Sequence, residues 1–482
     1  MRTNGVLWWV VTGLLGFLFF WRLQYLDHLP STWDEVDYTL GINEYDVLSM
    51  QPHFPGYPFF ILGGMLFSRL VNTPSEGLAL FNWFVLLTAS FPIYRLSCHY
   101  LPPFPSFVVM TVTQSLSYSW IVAAQPMSDG AALGVLWWYI YSLLQAYQST
   151  TSYQRLLPIL FFSLLMGIRL SYAPFGIGLV WLWMQDAKQR KNGMLMSISL
   201  FILGQMLWVV PVVKNVGGIY SLLSIGSSFI HGHFNEWGRG NPTESLLFGE
   251  RMFRYFISNW LWEGFSSHST WLLIFHIVVI LIFLGDFFRK GRRIRMPFLL
   301  LIMIITYGCW SFFGQNIEKT RHLLPLLSLT YWWLCLHIVS KRIIGYILIV
   351  TLMLGQMSVG EYWLNEQKHE VPPVVQAYEY LTSLEGDIVV YTWEETRVFD
   401  YMKAPFHHKR LQSFNSFLHD IKGKEKERII LTNKVLEGFV TQGIDVNGKV
   451  KKMKAFETDP ILDPVYHYIV LYEWVPGGED DE

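Results

Sequence analysis

The sequence predicts an α-helical protein that crosses a membrane many times and ends in a small α/β domain outside that membrane. Its 482 residues are 52% hydrophobic, 17% aromatic and only 15% charged, far from the balance of a soluble enzyme. Apolar segments near the ~20 residues that cross ~30 Å of hydrocarbon recur as far as residue 360. Beyond this point, strand and helix patterns alternate. We therefore expect a transmembrane part over 1–360 and an extracytoplasmic α/β domain over 361–482.

Charge and cysteine content exclude several functions. The net charge is −1, and its signs are segregated along the chain rather than pooled on one face, so no nucleic-acid partner is expected. The three cysteines, Cys98, Cys309 and Cys335, lie in or beside apolar segments. Neither a disulfide framework nor a cysteine metal site is therefore predicted.

The transmembrane part begins with an apolar run over 6–21. Bulky residues stand where signal cleavage needs small ones, so this run is expected to be an uncleaved signal anchor. Two shorter apolar segments, 58–71 and 174–184, are ambiguous. The other predicted spans are 77–95, 104–124, 129–147, 156–173, 194–213, 269–288, 297–314, 323–340 and 343–360.

Basic loops orient the spans. The run at 289–295 is the strongest cytoplasmic marker, and the basic residues of 188–191 and 341–342 support it. If 174–184 crosses the membrane and 58–71 does not, there are eleven spans and the N-terminus is inside. The segments outside are then 23–76, 125–128, 214–268, 315–320 and everything after 361.

Exchanging the roles of the two short segments also gives eleven spans, but it moves Asp129 to the cytoplasm. We favour the first arrangement because it places Arg95 and His99 inside and Glu76 outside.

The tail reads as an α/β domain. Helices are predicted at 374–384 and 412–421, and strands at 387–391, 428–432 and 466–474. The acidic end, 477–482, is expected to be disordered. Because the tail lacks a Gly-rich phosphate motif, we expect it to be a lid or an acceptor-recognition module.

The first loop is the strongest candidate for chemistry. From Leu23 to Tyr57 there is no Lys or Arg but there are six carboxylates, which favours a watery, non-cytoplasmic face. Asp34 and Glu35 are adjacent on what we expect to be an irregular loop. A carboxylate there can take a proton from an acceptor or hold a divalent cation against a phosphate. The plainer alternative is that these acids only solvate the loop.

Three further groups stand out. Asp129 opens a span, where helix capping is the simpler explanation. Lys319, Arg321 and His322 precede an apolar helix, and the planar Arg fork suits phosphate oxygens, although anchoring at the interface also fits. Arg169 is an intramembrane cation that needs a partner.

Taken together, these elements resemble the GT-C glycosyltransferases over about 1–340, and within them the bacterial aminoarabinose transferases and protein O-mannosyltransferases. The resemblance implies a sugar donor linked to polyprenyl phosphate and an acceptor on the extracytoplasmic face. It also implies a multi-pass position in the cell membrane. It favours the arrangement in which 58–71 is re-entrant or interfacial, because these enzymes keep both loop acids on the donor side.

The resemblance assigns roles residue by residue. Asp34 matches the first-loop acid that acts as base or metal ligand, with Glu35 beside it, and Asp129 matches the second-loop acid. The stretch from His53 to Tyr57 matches a His-Pro-Pro-Leu element, except that Phe54 follows the histidine.

The basic step before Leu-Leu-Pro would contact the donor phosphate; its members here are Lys319, Arg321 and His322, and the histidine replaces a usual tyrosine. A divalent cation (Mg²⁺, Mn²⁺ or Zn²⁺) held by Asp34 and Asp129 is allowed by the resemblance, and transfer without a metal stays equally open.

A lipid or glycolipid transporter is the alternative from another class, with the same charges lining a path. The enzyme is favoured because the charges gather at one face and no internal repeat is visible. The loop 214–268 is predicted to form the mouth below the tail. Its Trp237, Trp260 and Trp262 would stack on sugars or, more simply, sit in the interfacial aromatic belt.

Overall fold

The structure, a computed structural model, describes residues 12–13, 16, 19–149, 152–189, 191–234, 247–288, 296–423 and 427–475. The chain divides into two compact units. The larger comprises Met1–His28 with Tyr38–Lys368, and the smaller comprises Leu29–Asp37 with His369–Glu482. A piece of the first loop therefore belongs to the same unit as the tail. Most of the predicted anchor, the basic run at 289–295, Trp237 and the acidic end lie outside the described residues.

The described part of the larger unit is mostly helical, and the predicted apolar segments that lie within the described residues are helical, some with a break. One helix, α1 (Trp33–Asn43), is shared between the two units. The helices that follow are α2 (Pro58–Phe67), α3 (Pro74–Thr88), α4 (Ser90–Ser97), α5 (Pro103–Gln114), α6 (Ser117–Ala124), α7 (Asp129–Gln148), α8 (Ser152–Ile168), α9 (Ile177–Gln189), α10 (Lys191–Asn215), α11 (Ile219–Gly232), α12 (Phe248–Phe253), α13 (Thr270–Phe288), α14 (Phe298–Gly314), α15 (Leu324–Val339) and α16 (Arg342–His369).

Several shorter turns join these helices. Three-residue or longer 3-10 segments occur at Leu23–Tyr25, Ser68–Leu70, Leu170–Gly176 and Thr320–Leu323. A π-helix, Arg254–Phe265, follows α12 inside the loop that was predicted to form a mouth. Helix α16 runs without a break past residue 361, where the sequence suggested a domain boundary.

Four helices of the described residues are long and apolar enough to cross a membrane: Pro74–Ser97, Met194–Asn215, Thr320–Val339 and Ile343–Thr382. Two bent pairs raise the number to six if each is one span. They are Pro103–Gln114 with Ser117–Ala124, bent by 51°, and Phe248–Phe265 with Thr270–Gly285, bent by 114°. Pro58–Leu70 is a shorter apolar helix, and so are Gln154–Ile168 and Phe298–Gly314, which were predicted to cross; helix length therefore does not test the predicted role of 58–71. The expected total of eleven spans stays a prediction.

The first loop differs from its prediction, because an α-helix replaces the irregular loop. Thr32 and Glu35 form a capping box at the start of α1. The Glu35 backbone N–H donates to Thr32 Oγ1, while Glu35 Oε2 accepts from the backbone N–H groups of Ser31 and Thr32 at 2.8 and 3.1 Å. The Thr-Trp-Asp-Glu spacing that looked like an acid pair is thus also a helix start signal.

The smaller unit contains the predicted α/β domain. Its strands are β1 (Ile388–Thr392), β2 (His407–Arg410), β3 (Arg428–Thr432), β4 (Val450–Glu457) and β5 (Tyr468–Trp474). The sheet order is β2-β1-β3-β5-β4, with the first three strands parallel and the last two antiparallel to their neighbours. Its helices are α17 (Pro373–Thr382), α18 (Thr396–Tyr401), α19 (Phe414–Asp420) and α20 (Asn433–Thr441).

The sheet forms because its central strands are apolar on both faces. Residues of β1 are all buried, and Phe417, Phe439 and Trp474 pack over one face. Two predicted helices and three predicted strands are confirmed to within a few residues. Sequence analysis missed β2 and β4, whose charged and exposed residues resemble a loop.

Candidate functional site

The predicted site begins with a buried ion pair in the larger unit. Asp129 Oδ1 lies 3.0 Å from Arg169 Nη2, and the two side chains are 0% and 8% exposed. Arg169 also donates from Nη1 to Ser128 Oγ at 2.9 Å. Asp129 is not the N-cap of α7; that position belongs to Ser128, whose side chain makes no capping bond. Asp129 is therefore the charged partner that we expected Arg169 to need inside the membrane.

Asn82 of α3 fixes the loop that carries Asp129. Its side-chain amide donates to the carbonyl oxygens of Gln125 and Met127 and accepts from the backbone N–H of Ala131 at 2.9 Å. Asn82 is itself fully buried. Three bonds from one side chain therefore hold the turn between α6 and α7, and sequence analysis missed this residue because a single Asn in an apolar span gives no pattern.

Arg169 lies where the helical backbone is interrupted. It is the extended residue between α8 and the 3-10 segment Leu170–Gly176, with φ −155° and ψ 101°. Two tyrosines, Tyr172 and Tyr307, are buried beside it, with ring centroids 5.4 Å apart, and both interact electrostatically with the Asp129–Arg169 pair. Neither tyrosine was singled out by the sequence.

The basic residues of 319–322 lie close to Arg169. His322 Nδ1 lies 3.3 Å from Arg169 Nη2, and the Tyr307 hydroxyl donates to the His322 carbonyl at 2.9 Å. Arg321 is buried in the same 3-10 turn, and Lys319 precedes it. All three cations act electrostatically on His322. The structure therefore joins the second-loop acid, the intramembrane arginine and the basic step into one cluster.

The bend from His53 to Tyr57 is linked to this cluster through Arg169. Gly56 and Tyr57 have φ values of +91° and +44°, and the Phe54–Pro55 bond is cis. His53 Nε2 lies 3.2 Å from the Tyr57 hydroxyl, and the Tyr38 ring packs against both, at 5.4 and 4.9 Å. Tyr38 and Tyr57 both interact electrostatically with Arg169. A left-handed non-glycine residue such as Tyr57 is typical of a functional site.

Asp34 and Glu35 belong to the smaller unit, whereas the other seven predicted site residues belong to the larger one. Asp34 lies in the first turn of α1 and is half-buried. Glu35 is 3% exposed, and its carboxylate is engaged in capping the helix. Asp34 and Tyr38 are four residues apart in one helix and hence on the same helix face.

The π-helix adds an acid that the sequence did not reveal. Tyr118 interacts electrostatically with Glu263 of that π-helix, with Arg321 and with Asp129. π-Helices are rare in proteins and occur frequently at functional sites. In the sequence Glu263 is a lone acid among aromatic residues in 254–265, and its importance is recognisable only because the fold brings it near Tyr118.

Several polar atoms of the cluster retain hydrogen-bonding capacity. Asp129 Oδ1 contacts Arg169 in the ion pair, but among the described residues Asp129 Oδ2, Arg169 Nε and the Tyr172 hydroxyl have no hydrogen-bond partner, although all are buried. Native proteins rarely leave such groups unsatisfied without a reason. A dense set of fixed donors with three cations and few acids is suited to hold an anion with several oxygens.

A metal ion fits the described residues less well. No group of three or more His, Cys, Asp or Glu side chains in that part of the chain is arranged to hold one. Asp129 already neutralises a guanidinium, which would repel a cation at the same carboxylate. The metal role predicted for Asp34 and Asp129 stays a prediction.

These observations define a multi-pass membrane protein with a buried, largely cationic polar cluster in its helical unit and an α/β fold in its smaller unit. No protein-family model and no curated protein matches the chain.

Solved structures with a similar chain trace include ArnT from Cupriavidus metallidurans bound to undecaprenyl phosphate, at 11% identity and a TM-score of 0.45, with 98% of both chains covered. The apo state of that ArnT is similar at 13% identity and a TM-score of 0.46, again over 98% of both chains. The Archaeoglobus fulgidus oligosaccharyltransferase in complex with Zn and sulfate is similar at 10% identity and a TM-score of 0.47, covering 84% of this chain and 64% of that one.

Proposed function

We propose that the protein is a membrane glycosyltransferase that transfers a sugar from a polyprenyl-phosphate donor to an acceptor on the extracytoplasmic face of the cell membrane. The observation that carries the proposal is that Arg169, Arg321 and Lys319 meet around His322, while two buried donors, Arg169 Nε and the Tyr172 hydroxyl, have no hydrogen-bond partner among the described residues. A buried group of this kind binds a phosphate that arrives with an apolar chain.

The cations have a role in the reaction itself. The acceptor attacks C1 of the sugar, the new bond to C1 forms, and the bond from C1 to the phosphate oxygen breaks. The bonding electron pair leaves with the polyprenyl phosphate. Negative charge therefore grows on the phosphate in the transition state, where fixed donors such as Arg321 and Lys319 stabilise it without reorganising.

Asp34 is assigned as the base that takes the proton of the acceptor hydroxyl or amine. Its position in the first turn of α1, where it is half-buried, and its match to the first-loop acid of the GT-C glycosyltransferases support this role. Glu35 supports Asp34 by fixing the start of α1 through its capping bonds. Asp129 keeps Arg169 in place. No step is assigned to a metal ion.

The testing experiment uses purified protein and a polyprenyl-phosphate sugar labelled in the sugar. Wild type is expected to release free polyprenyl phosphate, slowly with water and faster with a competent acceptor. Arg321→Ala should lower this release strongly, whereas Arg95→Ala, a change at an exposed arginine, should not.

A transporter would behave differently in the same assay. In sealed vesicles it would move the labelled lipid between leaflets and leave the bond from sugar to phosphate intact. Movement of an unchanged donor, with no lipid phosphate released under any acceptor condition, would contradict the proposed reaction.

A further inference from the structure

The smaller unit presents an unusual edge of its sheet. Strands β1, β2 and β3 are parallel, so their carboxyl ends, at Thr392, Arg410 and Thr432, lie along one edge. The strand order β2-β1-β3 places a switch in chain direction at β1. In open α/β sheets this is the edge at which ligands bind.

Here a segment of the chain itself is bound by residues at this edge. Arg397 follows β1 on α18, and its Nε donates to Asp37 Oδ1 of α1 at 2.8 Å. The two side chains are 16% and 0% exposed. Removing the Arg397 cation takes a charged partner away from a fully buried carboxylate, which makes the start of α1 sensitive to Arg397.

A stack of aromatic rings and guanidinium groups completes the attachment. The Trp33 ring lies beneath the guanidinium groups of both Arg397 and Arg410, at 5.7 and 5.2 Å. Arg410 also lies over Trp393, at 4.3 Å. Contacts of this kind are attractive because the face of an aromatic ring is electron-rich and draws the guanidinium cation. Trp33 is therefore held from the side of β2 as well as from α18.

Asp34 lies between the two attached residues in the sequence. Trp33 precedes it and Asp37 comes one helical turn after Trp33, so the tail fixes both the position and the rotation of the first turn of α1. We propose that Arg397 is a positioning residue for Asp34, acting through Asp37 and Trp33, and that the α/β unit serves to hold this turn. The inference rests on the proposed function only for what Asp34 does.

The test compares Arg397→Gln, Arg397→Lys and wild type in the full-length protein. Gln removes the charge, and we expect kcat to fall about ten- to a hundredfold, the loss typical of a misplaced catalytic group, with KM for the donor unchanged. Lys keeps the charge but not the fork, so it should recover part of kcat. Arg428→Gln, which breaks another ion pair of the same unit, serves as the matched control and should leave kcat unchanged.

A second measurement does not depend on activity. Hydrogen exchange of the amides of 33–37 should become faster in Arg397→Gln, while exchange of the β1 amides stays as in wild type and shows that the unit is folded. Wild-type exchange at 33–37 together with wild-type kcat in Arg397→Gln would overturn the positioning role. Absence of donor turnover in wild type would instead contradict the proposed function, and the exchange result would still decide the role of Arg397.

Discussion

Asp129, the first residue of α7, and Arg169, the extended residue that follows α8, form an ion pair in which the carboxylate is fully buried. Such pairs contribute little net stability, because the desolvation of two charges offsets their attraction. Breaking one partner is costly, since a bare charge remains. The pair is thus better explained by the site that it builds than by the fold that it stabilises.

Arg169→Gln should therefore destabilise the protein by roughly 3–5 kcal/mol, and Asp129→Asn in the same chain should restore much of this loss. Thermal unfolding in detergent measures both. Arg155→Gln is the matched control, because Arg155 pairs with Asp186 at 2.9 Å in a comparably buried position away from the cluster. Arg155→Gln should lower the free energy of unfolding by a similar amount but leave the affinity for the donor unchanged. If Arg155→Gln and Arg169→Gln weakened donor affinity equally, the Arg169 pair would be only structural.

Arg321→Ala should weaken the apparent affinity for the donor by roughly 1.5–3 kcal/mol, the range for a hydrogen bond to a charged group. Arg321→Lys should recover only part, because a point charge replaces a fork. The measurement is binding of polyprenyl phosphate itself, which separates the phosphate contact from the sugar contact. Unchanged affinity in the alanine variant would remove Arg321 from the donor site.

Gly56 should tolerate no side chain. A Cβ there would come within 2.6 Å of the Tyr45 hydroxyl, and the φ of +91° is strained for other residues. Gly56→Ala is expected to displace His53 and Tyr57 and to lower turnover. Gly308→Ala is the control, since the nearest atom is 3.9 Å from its Cβ. Wild-type turnover in Gly56→Ala would show that the geometry of the bend is unimportant.

Orientation is testable with cysteines in a background that lacks Cys98, Cys309 and Cys335. Pro126 and Ser128, which precede Asp129 in the chain, are buried and therefore unsuitable for labelling. Leu48 and Glu318 are exposed and predicted to be outside, and Lys188 is exposed and predicted to be inside. An impermeant thiol reagent added outside should label the first two and spare the third. The reverse pattern would invert the membrane orientation.

The α/β unit should lose part of its stability in acid. Hydrogen bonds from Arg428 hold the pKa of the Glu473 carboxyl below its ordinary value of 4.5. A lowered acid pKa contributes stability above the unfolded value, and this stability is lost as pH falls through the folded value. Amide protection in β3 and β5 should therefore decrease below about pH 4.5 in wild type and change less in Glu473→Gln. Identical pH profiles would contradict the contribution of this pair.

The sequence predicted the helical elements well, because apolar length is a strong local signal. The parts it missed depend on distant contacts. The roles of Asn82, Tyr172 and Glu263 can be recognised only when α3, the 3-10 segment Leu170–Gly176 and the π-helix are packed near Asp129. For Glu35 the sequence suggested a catalytic role where the structure shows a capping role. A capping residue and a catalytic carboxylate look alike in a sequence, and only the hydrogen bonds from Ser31 and Thr32 identify Glu35 as a capping residue.

The division of the chain into its two units could not be predicted from the sequence either. Nothing in the residues 29–37 marks them as part of the same unit as a tail more than three hundred residues later. Their attachment depends on Arg397 of α18 and on Arg410, which ends β2, a strand that its charged residues made look like a loop.

The most direct test of the central claim is turnover of a labelled polyprenyl-phosphate sugar by Asp34→Asn, compared with Glu44→Gln, a neutralised and exposed carboxylate of the same loop. Asn keeps the shape of the side chain but accepts no proton. The proposed reaction predicts that Asp34→Asn still binds polyprenyl phosphate and inserts normally but transfers no sugar, while Glu44→Gln transfers at the wild-type rate. Near-normal transfer by Asp34→Asn would contradict the assignment of the base.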